Sequence, residues 1–106
     1  RNLPQVTDAG IAELSKLQEL ERLELQKLPQ ITDASFAAIG KCQALEVAEI
    51  EVCPKLTDAG LPQLKSLPVL RGLHFRDIPT ITEPALEQLK TAMPKLMYVS
   101  SKKRDN

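Results

Sequence analysis

One six-residue motif returns four times at a fixed step. Val6-Thr7-Asp8-Ala9-Gly10-Ile11 recurs as Ile31-Thr32-Asp33-Ala34-Ser35-Phe36, as Leu56-Thr57-Asp58-Ala59-Gly60-Leu61, and as Ile81-Thr82-Glu83-Pro84-Ala85-Leu86. The threonines stand at 7, 32, 57 and 82, always 25 residues apart. A register held this long means one supersecondary unit, repeated and stacked. A second motif keeps the same step. Leu20-x-x-Leu23-x-Leu25 becomes Leu45-x-x-Ala48-x-Ile50 and then Leu70-x-x-Leu73-x-Phe75, before slipping by one residue to Leu96-x-x-Val99-x-Ser101. The slip places one inserted residue between Thr91 and Lys95.

Each unit reads as strand, turn, helix, turn. The end of the leucine motif alternates at period two, as a strand does. Prolines at 29, 54 and 79, with Pro4 in the same phase, remove an amide donor and help to end the ladder. Thr then supplies a helix N-cap, and the acidic residue after it suits the positive end of the helix dipole. Apolar residues follow at helical spacing: Ile11, Leu14 and Leu17; Phe36, Ile39 and Cys42; Leu61, Leu64 and Leu67. Helices are expected near 8–17, 33–41, 58–66 and 83–92. The units run over about 1–19 (partial), 20–44, 45–69 and 70–95, with a closing strand and cap over 96–106.

A single such unit cannot bury its apolar side, whereas stacked units can. Strands spaced about 4.8 Å apart and helices needing about 8–10 Å bend such a stack. The expected fold is therefore an α/β solenoid, with parallel strands on a concave face and helices on the convex one.

The motifs resemble the leucine-rich-repeat family over nearly the whole chain. The spacing is most similar to its cysteine-containing subclass, L-x-x-L-x-L-x-x-C-x-x-I-T-D-x-x-L-x-x-L-x-x-x-C, which Cys53-Pro54-Lys55-Leu56-Thr57-Asp58-Ala59-Gly60-Leu61 follows closely. The resemblance implies a protein-binding role of the kind found in F-box substrate receptors and bacterial repeat proteins. The first cysteine site, however, holds Leu3, Leu28, Cys53 and Ile78, and the second holds Leu17, Cys42, Leu67 and Met93. No F-box helices are visible, so a ubiquitin-ligase role does not follow. Asp77-Ile78-Pro79 and Leu89-Lys90-Thr91-Ala92-Met93-Pro94-Lys95-Leu96 also resemble the C-terminal end of the mitochondrial ATP synthase factor B family. That likeness implies an assembly or structural role within a larger complex.

Charge narrows the partner. Fourteen basic residues balance fourteen acidic ones across 106 residues. A nucleic-acid binder carries a basic excess to release counterions, and the short Lys102-Lys103-Arg104 run reads as a solvated tail. No stretch approaches the roughly 18 apolar residues of a membrane span. The chain opens at Arg1 without Met, which reads as an excerpt or a processed product. Its first full unit then lacks a preceding strand, and self-association through that N-terminal edge is one expectation.

Stacking at 25 residues aligns outward side chains in columns. One holds Glu24, Glu49, His74 and Ser100. A second holds Glu21, Glu46, Arg71 and Met97, and a third Gln26, Glu51, Arg76 and Lys102. The fourth holds Arg22, Val47, Gly72 and Tyr98. Glu46 should face Arg71, and Glu51 should face Arg76. Gly72 should leave a shallow gap beside Tyr98, an aromatic type favoured at interfaces. The expected partner surface is therefore Arg22, Glu24, Glu46, Glu49, Glu51, Arg71, His74, Arg76 and Tyr98.

Catalysis, metal and cofactor are not expected. The glutamate–glutamate–histidine column lacks the supporting residues a zinc site needs. There is no Gly-rich phosphate loop and no nucleophile with an evident base. Cys42 and Cys53 occupy apolar core positions, and two free thiols point to an intracellular setting.

Overall fold

The computed structural model describes residues 7–102. The expectations for Leu3, Pro4 and the Lys103-Arg104 part of the basic run lie outside the described residues.

The described residues form a mixed α/β domain with one four-stranded, wholly parallel sheet. In order they form α1 (Asp8–Leu14), β1 (Arg22–Gln26), α2 (Asp33–Ile39), β2 (Val47–Glu51), a 3-10 helix (Asp58–Ser66), β3 (Gly72–Arg76), α3 (Glu83–Ala92) and β4 (Tyr98–Lys102). The strands lie in sequence order. Arg22 pairs with Val47 and Val47 with Gly72, which is the 25-residue step, while Gly72 pairs with Tyr98, one residue further on. In the unit that carries the inserted residue α3 has 10 residues, against 7 in α1 and α2 and 9 in the 3-10 helix.

Alternation along the strands produces two layers. Leu23, Leu25, Ala48, Ile50, Leu73 and Phe75 are buried in one cluster with Ile11, Phe36, Ile39, Leu61, Leu64, Leu86 and Leu89 of the helical segments. The Phe36 and Phe75 rings meet edge to face at 6.2 Å, a geometry that adds about 0.5–1.5 kcal/mol beyond burial. The body measures 35 × 34 × 20 Å.

The expected helices form, with two differences. The first two stop at Leu14 and Ile39 rather than at 17 and 41. The third is a 3-10 helix because Pro62 lies inside it. Proline has no amide to donate, and its ring crowds the carbonyl four residues back, so the α-helical bond cannot form there.

The Thr-Asp pairs do more than start helices. Thr32, Thr57 and Thr82 do cap, each accepting from an amide of the following turn, but Thr7 makes no such side-chain bond. The aspartates reach forward instead. Asp8 accepts the Thr32 amide at 2.8 Å and its hydroxyl at 2.6 Å. Asp33 does the same for Thr57 (2.8 and 2.5 Å), and Asp58 for Thr82 (2.8 and 2.7 Å). Every rung joins one helix start to the next. Ser35, fully buried, adds a hydroxyl bond to Asp8 at 2.5 Å. Gly60 holds the equivalent place one unit on, where a Cβ would collide with the Phe36 ring and the Asp33 carboxylate.

Strand exits also repeat. Lys27, Val52 and Asp77, one residue past β1, β2 and β3, have φ of 56°, 52° and 57°. This left-handed turn ends each strand two residues before the prolines at 29, 54 and 79. Val52 is the strained member, because a β-branched side chain tolerates that region poorly.

Candidate functional site: the outward face of the sheet

The outward face is built by what the core leaves over. With Leu23 and Leu25 turned inward, Arg22, Glu24 and Gln26 turn out. The same alternation exposes or half-exposes Val47, Glu49 and Glu51 on β2 and His74 and Arg76 on β3. The columns expected from the 25-residue step are the ones observed. Glu24 aligns with Glu49, His74 and Ser100, and Gln26 aligns with Glu51, Arg76 and Lys102. Glu46 and Arg71 stand at the rim, one residue before their strands begin, where their amides bond to the Glu21 and Glu46 carbonyls at 2.8 Å.

Of the two expected ion pairs, one closes. Arg71 Nε lies 3.3 Å from Glu46 Oε1. Glu51 and Arg76 are register partners but form no ion pair among the described residues. A pair that sequence spacing did not suggest takes its place: Arg22 reaches diagonally to Glu49 at 2.7 Å and also contacts Glu24 at 3.3 Å. Diagonal neighbours on adjacent strands are within reach of a long side chain. That was the available signal for Arg22. These pairs are solvent-exposed, so each contributes only about 0–1 kcal/mol.

Gly72 departs from expectation. The gap foreseen beside Tyr98 is closed: Gly72 is buried, and the Val47 methyls and His74 Nε2 lie 3.4–3.6 Å from where its Cβ would stand. His74 is held there by a 2.9 Å hydrogen bond between Nδ1 and the Ser100 hydroxyl. The opening lies further along the strands instead. It is a depression of about 400 Å³ lined by Glu49, Glu51, His74, Phe75, Arg76 and Ser100. Tyr98 and Met97 remain 54% and 62% exposed at the β4 end of the sheet.

The face offers charge and hydrogen bonding rather than reactivity. Ser100 and His74 share a hydrogen bond, while Glu49, on the other side of His74, is bonded to Arg22. Among the described residues no group of three or more His, Cys, Asp or Glu side chains could hold a metal ion. Cys42 and Cys53 are buried and free, away from this face. Burial pushes both thiols up from their usual pKa. Their hydrogens bond back to the Leu14 carbonyl at 3.4 Å and the Glu51 carbonyl at 3.3 Å. No described helix is long and apolar enough to cross a membrane.

No protein-family model matches the chain. No curated protein is significantly similar to it.

Proposed function

We propose that this chain is a solenoid of leucine-rich-repeat type whose role is non-catalytic: it binds another protein through the outward, concave face of its sheet. One observation carries the reading. The inward side chains of β1, β2 and β3 are buried, and the outward side carries charged, hydroxyl and aromatic groups held in columns by the backbone register. A face of that composition on a rigid parallel sheet presents preset contacts at little cost in ordering, and repeat proteins use such faces for recognition. Tyr, Met and Arg, the types enriched at protein interfaces, stand together here as Tyr98, Met97 and Arg71.

The test is recovery of partners from a lysate of the source organism by tagged wild-type chain and by a variant carrying Arg71→Ala, His74→Ala and Tyr98→Ala. Partners held by the wild type and lost by the folded variant support the proposal. Partners held equally by both refute the use of this face.

A second reading has its own observation. Leu17 is 50% exposed at the first helical segment, beside Leu14 and Leu20, which are only partly buried. An edge-on contact there, with a second copy or with a neighbouring subunit, suits an assembly role like that implied by the factor B likeness. Concentration-dependent self-association that Leu17→Asp abolishes would favour it.

A further inference from the structure

We infer that the partner presents to this face an extended segment in which a basic and an acidic side chain stand side by side, the basic group on Glu51 and the acidic group on Arg76. The inference rests on the proposed docking role of the sheet and specifies its ligand.

The argument begins from which charges are already committed. Arg22 is held by Glu24 and Glu49, and Arg71 by Glu46. Among the described residues, Glu51 and Arg76 are the outward charges on β2 and β3 with no ion pair, although the ladder sets them directly opposite each other. Leaving an exposed pair open sacrifices little, since such a pair contributes only about 0–1 kcal/mol. Each group keeps its hydrogen-bonding capacity for a ligand, and charge-assisted bonds shielded from water are the stronger kind.

Geometry agrees with charge. Both residues line the depression of about 400 Å³, beside His74 and Ser100, whose mutual bond fixes that part of the lining in advance. Neighbouring strands stand about 4.8 Å apart, and side chains two positions apart on an extended segment about 6.6 Å apart. Two long side chains leaning apart cover that difference. A segment crossing the strands with a basic residue and, two positions away, an acidic one therefore meets both columns. A purely basic segment would leave Arg76 facing a like charge, and a purely acidic one would do the same to Glu51, which is how such a face rejects wrong partners.

The experiment pans a displayed library of random short peptides on wild-type chain, on Glu51→Lys, on Arg76→Glu, and on the Arg71/His74/Tyr98 alanine variant. Both charge reversals replace surface side chains, and unchanged thermal unfolding verifies the fold. The wild type should enrich peptides bearing neighbouring basic and acidic residues. Arg76→Glu should enrich basic peptides that lack the acid, and Glu51→Lys acidic peptides that lack the base. A synthetic wild-type-selected peptide should bind either reversal variant at least about tenfold more weakly, and its affinity should fall with added salt. Peptides that depend on the face but show no charge pairing, and bind the reversals equally, overturn this inference while leaving the docking role standing. Peptides indifferent to all face variants overturn both.

Discussion

Replacing Asp33 separates two accounts of the repeated Thr-Asp pair. If the acid serves only the helix dipole, its removal costs about 0.3–1 kcal/mol, and Asp33→Glu, which keeps the charge at the start of α2, costs nothing. The structure assigns it more. Asp33 accepts the Thr57 amide at 2.8 Å and the Thr57 hydroxyl at 2.5 Å, across the junction to the next unit. A hydrogen bond to a charged group contributes about 1.5–3 kcal/mol, and the low end applies where water has partial access. Asp33→Ala should therefore lose about 2–3 kcal/mol. Asp33→Glu should lose about 1–2 kcal/mol, because the added methylene is crowded: Asp33 Oδ1 already lies 2.7 Å from where a Cβ on Gly60 would stand. Urea unfolding at neutral pH, followed by circular dichroism, measures both. An Asp33→Glu variant as stable as wild type, together with a loss below about 1 kcal/mol in Asp33→Ala, would refute the ladder and restore the dipole account.

Val52→Asn should stabilise the domain by about 0.5–1 kcal/mol, because φ of 52° strains a β-branched residue and asparagine keeps the amide bond to the Arg76 carbonyl; the same urea assay reads it. Asp8 carries a pH signature. Burial works to raise its carboxyl, but the bonds from Ser35 and Thr32 outweigh that and hold it below the usual 3.8. A lowered folded pKa means stability present above the unfolded value and lost as pH falls through the folded one. The stability gap between wild type and Asp8→Asn should therefore be full at neutral pH and close below about pH 4; a gap unchanged by acid would contradict this. Cys42 and Cys53 should react slowly with a disulfide reagent in the native chain and fully in urea, because both are buried and both thiols are raised by burial; fast native labelling would contradict their placement.

The parts of this fold legible in sequence are those that depend on spacing. A 25-residue step fixes strand register, so the pairing of Glu24 with Glu49 and of Glu49 with His74 follows from counting, as does the one-residue slip at Tyr98. The helix starts were legible because the Thr that caps and the acid after it recur in phase. What escaped depends on where side chains reach. The forward bond from each aspartate spans units and has no local trace, and dipole chemistry explained the same residues well enough to conceal it. Arg22, whose register partner is Val47, reaches diagonally to Glu49. Gly72 looked open because it lacks a side chain, yet Val47 and His74 lean over it. The 3-10 helix was the avoidable miss, since Pro62 stood inside the expected third helix.

The most direct test of the central claim places a photoactivatable aromatic cross-linker at Tyr98 on the sheet face and, separately, at Glu87 on the exposed side of α3. Each chain is then irradiated in a lysate of the source organism. A discrete protein adduct from position 98, absent from position 87 and competed by unlabelled wild-type chain, is the predicted result. An adduct from position 87 alone would place the binding surface on the helical side and contradict the account.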